Sequence, residues 1–292
     1  LTAAAHDPTL YASPRVVSNL EDCSFYHSMD LPGIGEVKGA WDLRPRIDEY
    51  LGHVDFGAKR VLELGSADGY LTFHVERQGA DVISYDLGES DTWDVVPYAR
   101  QRAGASSLVE PSWVPTSEPG PSPMRRANNA YWLAHRAFDS KARLVHGDVY
   151  SVPVALGPVD ISLFGCLLLH TENPFRALRR AVAITTDTVI VVDGLGFLRL
   201  PAPLRSVRAR LPYQVRRPIM RFMPQFTTGA GPDGWWRLTP EIVQAFLGVL
   251  GFERSDASTH VQLYEGRRRR LFTVVAHRTV PMTAADQSRP GS

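Results

Sequence analysis

The sequence predicts an α/β protein built on a mostly parallel sheet. Three features carry that reading: short apolar runs that stop at glycine-bearing or acidic turns, helical stretches between those runs, and a pair of strand-like segments near the end. The first predicted strand is Arg60–Leu64, buried on both faces as its unbroken apolar pattern requires. A helix follows over Tyr70–Gln78 and stops at Gly79. Further strands are expected at Asp81–Tyr85, Ala142–Val145, Asp160–Phe164 and Thr188–Val192, with a helix over Phe175–Ala183 between the last two. Such alternation implies parallel strands joined by right-handed crossovers. The last helix is Thr239–Leu250, with Thr239 as N-cap, Pro240 in the first turn and Gly251 as its stop. Phe252–Val261 and Leu271–His277 form a closing hairpin, with Arg267–Arg270 at its turn.

Length and composition bound the rest. The 292 residues are 44% hydrophobic and 22% charged, ordinary for a globular protein. The net charge of +1 selects no class of partner. Cys23 and Cys166 are far apart and form no CxxC pair, so neither a disulfide framework nor a zinc site is expected. There is no apolar run long enough to span a bilayer. Leu1–Asp7 has no secretory pattern, so the expected location is cytoplasmic.

The predicted organisation is an N-terminal cap over residues 1–54, a main domain over 55–280 and a disordered tail over 281–292. Helical character is expected at Pro45–Leu51. Two insertions interrupt the main rhythm, at about 87–141 and 195–232. The first holds Ser106–Pro123, with six Pro or Gly residues, read as a lid or a disordered loop, and then a helix at Ala127–Phe138. The second carries seven arginines from Arg199 to Arg221. Leu204, Val207 and Leu211 fall there at helical spacing, so a solvated basic helix face competes with a phosphate-binding role.

The most informative segment is Val61-Leu62-Glu63-Leu64-Gly65-Ser66-Ala67-Asp68-Gly69-Tyr70. An acidic residue ends a strand, and a turn rich in small residues enters a helix. Gly65 permits a tight turn, while Ser66 and Ala67 let a ligand approach the main chain. The dinucleotide pattern G-x-G-x-x-G is not met, because Ala67 and Tyr70 stand at its second and third glycine positions.

This segment resembles the E/D-x-G-x-G-x-G loop of the class I S-adenosylmethionine (SAM)-dependent methyltransferases, with Ala67 replacing the middle glycine. The resemblance implies a Rossmann-like sheet, mostly parallel with an antiparallel last strand, and SAM as cofactor. It implies that Glu63 helps hold the amino-acid end of SAM, that Asp86 bonds the ribose hydroxyls, and that Asp148 lies beside the adenine. Gly65, Ser66, Ala67, Gly69 and Tyr70 would line the same pocket. Leu87 and Val149, which follow the two later acids, and Gly165 at the end of the fourth strand complete it. Each acid could instead cap a turn, but three at the ends of successive strands favour a shared ligand.

Gly39-Ala40-Trp41-Asp42-Leu43-Arg44, Leu168-Leu169-His170-Thr171-Glu172-Asn173-Pro174 and Gly234-Trp235-Trp236-Arg237-Leu238-Thr239-Pro240 narrow the resemblance. Together they are similar to the branch that contains the bacterial tRNA wobble-uridine carboxymethyltransferases. Those enzymes have Tyr directly before the His, where it holds the carboxylate of a carboxylated cofactor. Leu169 stands there in this chain, which favours plain SAM and weakens tRNA as the substrate.

On the acceptor side, His170 is the candidate general base, because it follows the fourth strand where an acceptor hydroxyl would meet the methyl. A packing role in the turn before Asn173-Pro174 competes with this. His27 and Asp193 are alternative bases. Asp193, Glu172 and His170 could form a metal site, but no metal is expected. Trp41 and Tyr26 either close over the cofactor or pack within the cap. Cys166 reads as a small buried hydrophobe. The expected activity is O-methylation of a small molecule or sugar. RNA methylation and SAM binding without catalysis are the alternatives, and the oligomeric state is open.

Overall fold

The computed structural model describes residues 8–97, 122–195, 217–224 and 234–281. Most of Ser106–Pro123, most of the arginine-rich insert and the tail after Pro281 lie outside the described residues.

Five parallel strands form the centre of an eight-stranded sheet: β4 (Arg60–Leu64), β5 (Asp81–Asp86), β6 (Arg143–His146), β7 (Val159–Gly165) and β8 (Thr185–Gly194). An antiparallel hairpin, β11 (Arg254–Tyr264) and β12 (Arg267–His277), extends the sheet beyond β8. The order is β3-β11-β12-β8-β7-β4-β5-β6, where β3 is the short edge strand Trp41–Asp42. This is the mostly parallel, Rossmann-like sheet with an antiparallel last strand that the sequence predicts. Two short pairs lie outside it: β1 (Met29–Leu31) with β2 (Gly35–Val37), and β9 (Met220–Phe222) with β10 (Trp236–Leu238).

Alternation along the strands separates two cores. Val61, Leu163, Ile190 and Val192 face one side, where α2 (Tyr70–Glu76) and α3 (Pro123–Ala137) pack. Leu62, Leu64, Val191 and Phe272 face the other, under α4 (Pro174–Val182) and α5 (Pro240–Val249). The same alternation puts Glu63 on the α2 side, where it meets polar partners rather than the second core.

The helix boundaries follow their caps. Asn173 accepts from the Arg176 amide, and Thr239 from the Ile242 amide. Helix α3 starts four residues earlier than expected. Ser122 accepts from the Arg125 amide and Pro123 occupies the first turn, a start signal hidden at the edge of a Pro/Ser-rich stretch. Pro45–Leu51 is helical in two pieces, a 3₁₀ turn Arg44–Arg46 and α1 (Ile47–Tyr50).

The closing hairpin is longer than expected. Glu265 and Gly266 both have positive φ, 49° and 70°, the geometry of a two-residue turn that continues the strand twist. Arg267–Arg270 therefore belong to β12 and not to the turn. The N-terminal segment also enters the main sheet, since Trp41 and Asp42 pair with Tyr264 and Leu263 of β11.

Candidate active site

The loop after β4 reverses direction through three left-handed residues: Gly65 (φ 76°), Ala67 (φ 50°) and Gly69 (φ 80°). At Gly69 a Cβ would lie 2.4 Å from the Phe73 ring and 2.9 Å from Tyr131, so nothing larger than glycine enters α2 there. Ala67 keeps the left-handed backbone at a cost of about 1–2 kcal/mol. Asp86 at the end of β5 offsets it. Its carboxylate accepts from the Ala67 amide at 2.5 Å and from the Leu87 amide at 2.7 Å. The Gly65 amide donates to Tyr85 O and the Gly147 amide to Asp86 O, each at 2.9 Å, which joins the ends of β4, β5 and β6.

Asp148 follows β6 and is exposed. Its side chain accepts from the Tyr150 amide at 2.8 Å and caps the turn Val149–Ser151, so the capping role weighed from sequence is present. Leu87 and Val149 are half-buried, and Ser66 is buried in the loop. Gly165 closes β7, where a Cβ would come within 2.9 Å of Leu71 and 3.0 Å of the Tyr50 hydroxyl.

Glu63 lies beneath the loop at 2% exposure. Thr72 Oγ1 donates to it, and the chain continues from Thr72 to Ser84 at 2.8 Å and from Ser84 to the Tyr131 hydroxyl at 2.9 Å. Burial pushes the Glu63 carboxyl up to about 8; Thr72 opposes the rise, and the negative charges of Asp86 and Asp68 add to it. Glu63, Asp68 and Asp86 thus share one loop. Asp86, at the ends of β4 and β5, is an acceptor that fits the ribose hydroxyls of SAM.

Asp68 was not singled out from the sequence. It is fully buried and binds the N-terminal segment through three contacts: the Tyr26 amide at 2.8 Å, the His27 amide at 2.6 Å and His27 Nδ1 at 2.7 Å. His27 also stacks on Tyr70, 5.4 Å between centroids. Trp41 donates from Nε1 to the Tyr26 hydroxyl at 3.0 Å and packs on Tyr264. One carboxylate within the loop therefore fastens Tyr26 and His27, and with them Trp41. An acid in a glycine loop is the only sequence signal, and its partners lie about forty residues upstream.

The acceptor side is built from the end of β7. Cys166 has φ 54° and donates its amide to Val192 O. Burial pushes its thiol up to about 12, and the Tyr50 hydroxyl donates to its Sγ at 3.8 Å. His170 ends a 3₁₀ turn, Leu168–His170, and is half-buried. The turn is anchored on both sides: the Trp235 amide donates to Leu169 O at 2.8 Å, and the Glu172 amide donates to Asp94 at 2.5 Å. Asp94 also accepts from the Tyr150 hydroxyl at 2.6 Å, and Trp236 Nε1 donates to Glu172 O. Asp94 is another residue the sequence did not reveal, since its partners come from separate segments.

Asp193 lies at the end of β8 with 2% exposure. The Gly194 amide donates to it at 2.6 Å. Burial pushes its carboxyl up to about 7, against the Gly194 amide, the Arg237 charge and the Leu169 amide. His170, Glu172 and Asp193 do not gather as a metal-ligating group; no such group occurs among the described residues.

The strand order and the antiparallel last strand make this a Rossmann-like sheet. No family model matches the sequence, and no curated protein matches it. Solved structures of similar fold include magnesium protoporphyrin IX methyltransferase from Synechocystis, with 12% identity over 81% of this chain and 82% of that one, TM-score 0.46. The N-terminal domain of EvdMO1 shares 18% identity over 89% and 92%, TM-score 0.47. A Burkholderia thailandensis 1,6-didemethyltoxoflavin N1-methyltransferase shares 14% over 82% and 78%, TM-score 0.47. No helix among the described residues is long and apolar enough to cross a membrane.

Two buried carboxyls give this fold a testable pH dependence. Glu63 and Asp193 hold protons in the folded state that the unfolded chain releases at ordinary values of 4.5 and 3.8. Their contribution to stability is complete below those values and is lost as pH rises through about 7 and 8. His260, held down to about 4 by burial, acts in the opposite sense only below its ordinary 6.5. The melting temperature of the ligand-free protein should therefore fall from about pH 6.5 to about pH 8.5, and Glu63→Gln should flatten the fall. A melting temperature independent of pH over that range would contradict the buried, protonated assignment.

Proposed function

We propose that this chain transfers a methyl group from SAM to a hydroxyl oxygen of a small molecule or sugar. The observation that carries the reading is the left-handed loop Gly65–Gly69, held by the Asp86 carboxylate at the ends of β4 and β5. In open α/β sheets, ligands bind beyond the carboxyl ends of the strands, where Asp86 ends β5.

SAM supplies an already activated methyl group. The protein's task is then alignment and exclusion of water. Asp86 would take the ribose hydroxyls, Asp148 would lie beside the adenine, and the carboxyl of Glu63 would face the positive amino-acid end. Gly65, Ser66, Ala67, Gly69 and Tyr70 would let the cofactor lie against the main chain. Leu87, Val149 and Gly165 would line its base and its methyl end, with Trp41 and Tyr26 covering the pocket from the N-terminal segment. His170 would take the proton from the acceptor hydroxyl as the methyl moves. Its turn, anchored through Leu169 and Glu172, provides a fixed base position.

The direct test is calorimetric titration with SAM, followed by measurement of S-adenosylhomocysteine release against a panel of hydroxylated acceptors. SAM binding with acceptor-dependent release supports the reading. Binding with no release against any acceptor would leave a SAM-binding protein, and absence of binding would remove the cofactor assignment.

A further inference from the structure

The closing hairpin carries a charge pattern that methyl transfer by itself does not require. β11 runs parallel to β8, because each is antiparallel to β12. The hairpin tip therefore lies at the carboxyl end of the parallel strands, the end that holds the candidate site. The last β12–β8 pair is Leu271 with Gly194, so Arg267–Arg270 lie beyond the named end of β8, paired with β11, whose other edge carries β3. All four arginines are exposed. Among the described residues none of them forms an ion pair, and Arg269 lies over the Tyr264 ring at 5.6 Å.

Alternation places Arg268 and Arg270 on the face of Phe272, which pairs with Asp193. That face also carries β10, whose Leu238 shares the core with Phe272 and whose neighbour Trp235 anchors the His170 turn. In the β9–β10 pair, Arg221 stands directly opposite Arg237. The whole chain carries a net charge of only +1, so this clustering does not reflect a general excess of basic residues.

We propose that the acceptor carries a phosphate or diphosphate group, and that Arg268 and Arg270 bind it beside the methyl-transfer site. Paired guanidinium groups match phosphate oxygens by bidentate, charge-assisted hydrogen bonds. The oxyanion would sit over the hairpin tip while the hydroxyl to be methylated reaches toward His170. This substrate class rests on the methyltransferase reading.

The test uses the full chain saturated with S-adenosylhomocysteine and titrated with inorganic pyrophosphate. The expected result is measurable pyrophosphate binding, weakened about tenfold or more in Arg268→Gln/Arg270→Gln. Affinity for S-adenosylhomocysteine should stay within about twofold, and Arg268→Lys/Arg270→Lys should recover part of the pyrophosphate affinity because the charge returns without the fork. No pyrophosphate binding by the wild type, or binding indifferent to the Gln pair, overturns the proposal. So does capture by phosphatidylglycerol vesicles or by tRNA, sensitive to the Gln pair, when pyrophosphate does not bind. Failure of S-adenosylhomocysteine to bind the wild type would instead strike the methyltransferase reading, and pyrophosphate binding would still decide the arginine site.

Discussion

His170→Ala should lower turnover by about 10²-fold or more while SAM affinity stays within about twofold, the signature of a base that acts only as the proton leaves. The side chain belongs to a turn whose backbone is held by Trp235 on one side and Asp94 on the other. Those two backbone bonds do not involve the imidazole and remain when it is removed. His170→Asn should fail to a similar degree, because it keeps polarity without basicity. Loss of the acidic limb of the pH–rate profile in both variants would separate chemistry from packing. Turnover within a few-fold of wild type, with an unmoved profile, would make His170 structural and direct attention to Asp193, the buried carboxyl beside the same turn.

Asp86→Ala should weaken SAM binding by about 1–3 kcal/mol, roughly 5- to 150-fold, the scale of hydrogen bonds to a charged group. Two losses combine. On the proposed binding mode the ribose hydroxyls would lose their acceptor, and the Ala67 and Leu87 amides lose theirs, so the left-handed loop is no longer held. Burial holds the Asp86 carboxyl above its ordinary range, with the two amides working against that rise. Acidification toward the raised value should weaken SAM binding in the wild type but not in Asp86→Ala. Calorimetry showing equal affinity in the two proteins would remove Asp86 from the pocket.

Sequence alone determined the parallel core and the glycine-bearing turn after β4. Those signals are local: an apolar run buried on both faces, a glycine where the backbone must turn left-handed, and Thr239-Pro240 at a helix start. β4 was legible to the residue, as was Asp86 at the end of its neighbour β5. The length of the closing hairpin was not legible. Arg267–Arg270 look like a turn until cross-strand pairing with Val261–Tyr264 makes them a strand. Asp68 and Asp94 were equally silent. An isolated acid has no periodicity, and each acquires its role from backbone amides delivered by distant segments. Glu63 was visible as a motif residue, but its protonated state depends on burial and on the charges of Asp68 and Asp86. Backbone conformation and strand pattern are set by neighbours along the chain, whereas hydrogen-bond partners and local dielectric are set by neighbours in space; only the tertiary structure could decide those.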